Sequence, residues 1–131
     1  MNTRTASLLI GIIFLLVGIL GFVENPIIGE SPDAMFHADT VHNMVHIISG
    51  VLFLLFALAA PSRAGAFLKI FGLVYLALGV WGAATVGADG MTTLAGFLHV
   101  NEADNYLHIG LGVVIFLAGL LPDAVVPRRS M

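Results

Sequence analysis

Two short stretches of this chain carry the side chains with chemistry to offer. Asp39, His42, Asn43 and His46 open an apolar run reaching Ala60, and Asn101, Asp104, Asn105 and His108 open another ending at Leu121. Each places an Asn and a His three residues apart. At 3.6 residues per turn His42, Asn43 and His46 share one helix face, and Asp104, Asn105 and His108 share the matching face of another. Amide and ionisable groups are expensive inside apolar segments, so two sets in register predict a shared task.

Three chemistries suit these residues. The reading adopted from the sequence is a polar clasp, in which Asn43 and His46 hydrogen-bond with Asn105 and His108 across a bundle axis. Such interhelical bonds are typically worth about 0.6 kcal/mol, and in some cases about 1–2. The first alternative is a ligand site. A transition metal would be held by His42, His46, Asp104 and His108, since imidazole suits zinc, copper, iron or nickel. In its other form, haem b takes His46 and His108 as axial ligands, with Gly50 and Gly112 making room one turn below. The second alternative is pH response, because all five histidines gather toward one side of the chain's predicted membrane plane. Within the helices no acidic residue lies deep enough to continue a proton path, which argues against a pump. The loop histidines His37 and His99 are expected to be solvated.

Those stretches need helices to hold them. The 131 residues are 59% hydrophobic and only 10% charged, with a mean hydropathy of +1.03. A soluble domain carries about 25% charged residues, so this composition predicts a single membrane domain over residues 1–131. A spanning helix needs about 20 residues. Four runs qualify, at roughly 5–23, 41–60, 65–87 and 104–121. Arg4 before an apolar core resembles the start of a signal peptide, but no small-x-small cleavage site follows, so the first run is expected to be a retained helix. Pro61 and Pro122 are expected to stop the second and fourth helices. Asp39 and Asn101 are expected as N-caps, the latter with Asp104 in a capping box.

Arg4, Arg63, Lys69, Arg128 and Arg129 all fall on one side of this four-span arrangement, and the other two loops contain no basic residue. The positive-inside rule then makes both termini cytoplasmic, with residues 122–131 a cytoplasmic tail. The outer loops, about 24–39 and 88–101, are long; their apolar patches Ala34–Phe36 and Leu94–Leu98 are expected to fold back over the outer mouth. Counting inward at about 1.5 Å per residue from the cytoplasmic ends puts His46 and His108 at matching depths, about 10 Å below the outer boundary.

The chain repeats itself. A shift of about 61 residues lays Gly11, Gly18 and Gly21 over Gly72, Gly79 and Gly82; one residue more lays Asn43, His46 and Gly50 over Asn105, His108 and Gly112. Repeats of two spans keep one orientation and are related by an axis along the membrane normal. The expected fold is therefore an all-α four-helix bundle of two hairpins, about 5–60 and 65–121, with pseudo-twofold symmetry. The glycines are read as packing notches, since small residues let helices approach closely in lipid. Tyr75 and Trp81 are read as ordinary membrane aromatics, and Tyr106 as an outer-interface residue.

Zero cysteines exclude disulfides, thiolate metal sites and thiol catalysis. A net charge of −3 without a basic patch argues against nucleic acid as a partner. Nothing pairs a nucleophile with a base or cradles a phosphate, so no enzymatic activity is expected. The expected partners are the lipid bilayer and another membrane subunit or a second copy of the chain. No cofactor is required by this reading; a transition metal or haem b belongs to the alternative one.

The run from His42 through His46 to Gly50, its echo from Asp104 through His108 to Gly112, and the start of the third helix at Phe71–Tyr75 resemble a family of small bacterial membrane proteins, domain-of-unknown-function family 4383. That resemblance covers nearly the whole chain. It implies a four-span bacterial inner-membrane protein and brings no activity, cofactor or catalytic residue with it. The sequence thus predicts a non-enzymatic accessory or interaction protein of the membrane, with an outward-facing Asn/His cluster.

Overall fold

The computed structural model describes residues 1–125. Arg128, Arg129 and the rest of the expected tail from residue 126 lie outside the described residues. Four helices form, α1 (Thr3–Leu20), α2 (Thr40–Ala59), α3 (Ala64–Thr85) and α4 (Glu102–Ala118). Both expected N-caps are made. Asp39 Oδ1 accepts from His42 N at 2.9 Å, and Asn101 Oδ1 accepts from Asp104 N while Asp104 Oδ2 accepts from Asn101 N, each at 2.8 Å. These bonds satisfy amides that a helix start otherwise leaves open. Pro61 opens a short 3-10 turn directly after α2, as its missing N–H and its ring require. The fourth helix ends at Ala118, before the expected Leu121; Gly119 N returns to Ile115 O, and Leu120 and Leu121 continue only as turns.

The α1, α2 and α3 helices are long and apolar enough to cross a membrane. Their surfaces are arranged as lipid requires. Leu9, Ile12, Ile13, Leu16 and Ile19 of α1 face outward, whereas Thr3, Ser7, His42, Asn43, Ser49, Asn105 and His108 are buried. A water-soluble fold sorts its residues the other way.

Helices α1 and α2 pack closely on each other, as do α3 and α4, while α1 and α4 touch only lightly. The reason is read from the glycines. A Cβ on Gly11 would lie 3.0 Å from Gly50 O, and one on Gly50 would lie 2.8 Å from Gly11 O. The other pair repeats this: a Cβ on Gly72 would meet Gly112 O at 2.8 Å, and one on Gly112 would meet Gly72 O at 2.8 Å. In each hairpin, then, backbone lies directly against backbone, which favours association through dispersion contacts where no hydrophobic drive exists.

Between the hairpins lies an aromatic layer. Phe14 of α1, Phe53 of α2, and Phe67, Phe71 and Tyr75 of α3 are linked ring to ring at centroid distances of 4.6–5.8 Å, with Ala6, Leu68 and Ile115 completing the core. At the far end Arg4 Nε donates to Ala57 O at 3.1 Å and Ser7 Oγ to Phe53 O at 2.7 Å, tying α1 to α2.

The connecting segments at the histidine end differ from the purely helical expectation, because they contain short strands. A parallel pair joins β1 (Ile28–Gly29) to β2 (Phe36–His37), and β3 (Met91–Leu94) pairs antiparallel with β4 (Leu98–Asn101). The β3–β4 turn puts Ala95 and Gly96 at φ 51° and 80°, the positive angles that a tight hairpin turn favours. Alternation then directs Leu94, Leu98 and Val100 inward onto Leu78 and His99 outward. Asn101 Nδ2 donates to Met35 O at 3.1 Å, which joins the two segments into one cap.

Candidate functional site

Three imidazoles converge under this cap. His42 and His46 lie on successive turns of α2, with ring centroids 4.6 Å apart, and His108 of α4 lies 5.6 Å from His42. All three are buried, and one ring nitrogen from each lies within 4.8 Å of the others. The Nδ1 atom of every one of them has no hydrogen-bond partner among the described residues. Unpaired buried polar atoms cost about 1–3 kcal/mol each, so three together ask for an explanation.

The His42 ring is in contact with both of the others. Its place follows from the helix: with Asp39 capping α2, His42 falls at the start of the inward face and His46 one turn deeper. The matching position in the second hairpin is Asp104, which the sequence reading included as a metal ligand. The structure does not bring it into the three-nitrogen group. Asp104 is taken by the cap of α4, its Oδ2 bound to Asn101 N at 2.8 Å. A carboxylate committed to a helix N-terminus is already well satisfied.

The hydrogen bonds of the expected clasp are not made among the described residues. Among the described residues no hydrogen bond joins Asn43 or His46 to Asn105 or His108, and Asn43 Oδ1 and both polar side-chain atoms of Asn105 are without partners. Each carboxamide instead fills the notch of a glycine in its own hairpin: Asn43 packs against Gly21, and Asn105 against Gly82. Gly18 and Gly79 similarly receive Ile47 and Ile109. The Asn residues therefore dock α2 on α1 and α4 on α3, while the histidines meet one another across the space between the hairpins.

Tyr75 is the residue that sequence reasoning passed over. It is buried, its Oη lies 3.1 Å from His46 Nε2, and its ring meets His108 edge-on at 4.8 Å. The hydroxyl thus takes one nitrogen of His46 and leaves Nδ1 as the other. A signal for this existed: the 61-residue shift lays Tyr75 over Phe14, whose ring meets His46 edge-on at 5.7 Å. The hydroxyl is what distinguishes Tyr75 from Phe14.

Beside the three rings is a cavity of about 210 Å³. His42, His46, His108, Tyr75 and Asp104 lie along it together with side chains of α1, α4 and the β1–β2 segment, and the surface they present to it is almost wholly apolar. His37, expected in solvent, is half-buried and lines this cavity, because β2 draws it over the helix ends. His99 stays exposed and pairs its Nδ1 with Thr93 Oγ1 at 2.9 Å. Tyr106 is exposed, as expected of an interface residue, with its Oη 3.4 Å from Glu102 Oε1.

A family model described as Domain of unknown function (DUF4383) matches residues 4–121. No curated protein and no solved structure matches the chain.

Proposed function

We propose, for a chain that belongs to the family Domain of unknown function (DUF4383), that it is a membrane protein built to hold one transition-metal ion at His42, His46 and His108. The observation that carries this reading is the convergence of three buried imidazoles with unpartnered Nδ1 atoms. Nitrogens within 4.8 Å of one another can all lie no more than about 2.8 Å from a common point, so each ring has at most about 0.7 Å to close to reach a zinc–nitrogen bond of about 2.1 Å. Tyr75 supports the assignment as well: ligating histidines usually engage their second nitrogen with an oxygen, which fixes the tautomer. Three neutral imidazoles suit zinc, copper, nickel or iron.

Haem b between His46 and His108 is the weaker reading. The His42 ring lies 4.6 and 5.6 Å from their centroids, with one nitrogen within 4.8 Å of a nitrogen on each. A porphyrin would need that ring expelled.

The remaining features fit around such a site. The matched glycine and Asn contacts of the two hairpins support a duplicated unit with pseudo-twofold symmetry along the membrane normal, α4 serving as the fourth span. Arg4, Arg63 and Lys69 lie toward the end away from the histidines, which supports cytoplasmic termini in a bacterial cell membrane and an outward-facing site. Service as an accessory subunit, to another membrane protein or a second copy, is compatible with metal binding.

The test is purification in mild detergent followed by metal analysis and an optical spectrum. One equivalent of metal, lost in His42→Ala and in His108→Ala, is the expected result. A Soret band would favour haem b, and a metal-free protein that takes up neither zinc nor cobalt would end the assignment.

A further inference from the structure

Three protein ligands leave a tetrahedral ion one position short, and in zinc proteins that is the mark of a site that binds something else. Resting on the metal assignment above, we infer that the cavity beside the histidines is a binding site for a small, neutral, lipid-soluble molecule. The molecule coordinates the ion through one donor atom and enters sideways from the bilayer.

Three observations point this way. The same three imidazoles that converge on one another also line the cavity, so an ion held by them would lie beside it. Asp104, the nearest carboxylate in that wall, is spent on the α4 cap and leaves the position to an outside donor. The third observation is the route. The apolar wall is made by Ile13 and Val17 of α1 facing Leu107 and Leu111 of α4, the pair of helices that touch only lightly. Ile13 is 55% exposed and Leu107 39% exposed, so the wall itself reaches the lipid-facing surface. A slit between two loosely packed spans, rimmed by Ile and Leu, admits an apolar molecule from hydrocarbon and opposes an anion, whose desolvation costs several kcal/mol or more.

Size narrows the class. A cavity of about 210 Å³ lies below the ~300–1,000 Å³ of sites for drug-sized ligands. It suits a single ring or a short chain carrying one nitrogen, oxygen or sulfur donor.

The experiment uses the full chain in detergent, loaded with Co(II), whose visible absorption reports the number and type of ligands. 1-Butylimidazole is titrated as the neutral probe and azide as the charged one. The expected result is a change in the visible bands with 1-butylimidazole at a concentration at least about tenfold below that needed for azide. In Leu107→Trp, which fills the mouth from a lipid-facing position, and in Val17→Phe, which fills the wall, the 1-butylimidazole midpoint rises by about tenfold or more. Their unliganded Co(II) spectra remain those of the parent, which shows the site intact in each. Equal response to both probes, or equal midpoints in parent and variants, would overturn the inference. Cobalt bound without response to either probe would also overturn it while leaving the metal site standing. A parent chain that binds no Co(II) would end both.

Discussion

The sharpest consequence of the glycine contacts concerns two positions on one helix. Gly110 and Gly112 are both in α4, two residues apart. A Cβ on Gly110 meets nothing within 4 Å, whereas one on Gly112 would lie 2.5 Å from Leu76 N and 2.8 Å from Gly72 O. Ordinary contact begins at 3.4 Å, so Gly112→Ala forces α3 and α4 apart by about 0.9 Å. The obstacle is backbone on both sides and cannot rotate away. Overpacking of this kind costs about 1–3 kcal/mol. Both substitutions also remove glycine's helix penalty, about 0.8–1.0 kcal/mol, and that common gain cancels in the comparison. Reversible unfolding in mixed micelles, with increasing SDS, should place Gly112→Ala below Gly110→Ala by about 1–3 kcal/mol. Gly50→Ala in α2 should behave like Gly112→Ala, since its Cβ would lie 2.8 Å from Gly11 O. Equal stability of the 110 and 112 variants would refute backbone-to-backbone packing as what holds α3 on α4.

Gly82→Ala should destabilise by about 1–3 kcal/mol because the new methyl takes the place of the Asn105 carboxamide, and Asn105→Ala in the same chain should recover part of that loss in a double-mutant cycle. Asp104→Asn should lower stability by about 1 kcal/mol through the weakened α4 cap, yet leave metal stoichiometry unchanged by elemental analysis. Tyr75→Phe should retain the fold and reduce metal affinity by about 10–100-fold in a competition titration, because His46 Nε2 loses its partner. Zinc at 100 times its dissociation constant should raise the unfolding free energy of the parent by about 2.7 kcal/mol and that of His42→Ala by nothing measurable.

The helices were legible in the sequence because lipid demands long apolar runs, and their starts were legible because Asp39 and Asn101 are strong caps. Their ends were less so. Hydropathy continues through Leu120 and Leu121, but there the four-residue ladder has given way to three-residue turns onto Leu117 O and Ala118 O. The strands at the histidine end escaped for a similar reason: Leu94–Leu98 read as an apolar patch, while the signal lay in the alternation of Leu98, His99 and Val100 around a turn at Ala95 and Gly96. His46 and His108 were found because a rare residue recurs in register. The carboxamide partners were not found, because a glycine notch accepts a side chain from any facing helix, and only coordinates say that Gly21 and Gly82 take Asn43 and Asn105.

On the proposed reading of the chain as a duplicated hairpin, symmetry alone would give an even number of equivalent groups around the axis. The candidate centre is uneven: two imidazoles from α2, one from α4 and a hydroxyl from α3. Its distinctive members, His42 and Tyr75, sit where the two copies disagree, opposite Asp104 and Phe14 respectively. The packing residues, Gly11 with Gly72, Gly50 with Gly112, and Asn43 with Asn105, sit where they agree. That division has a physical basis. Contacts inside a hairpin are needed in each hairpin; a single ion, as proposed, would need ligands that do not collide, and there α2 offers His42 whereas Asp104 is bound to the cap of α4. Restoring symmetry should therefore be informative in both directions. Asp104→His removes the carboxylate from the α4 cap and crowds a fourth imidazole into the cavity, whereas His42→Asp leaves only His46 and His108 to bind. Both should cost metal affinity, and only the first should also cost the α4 cap.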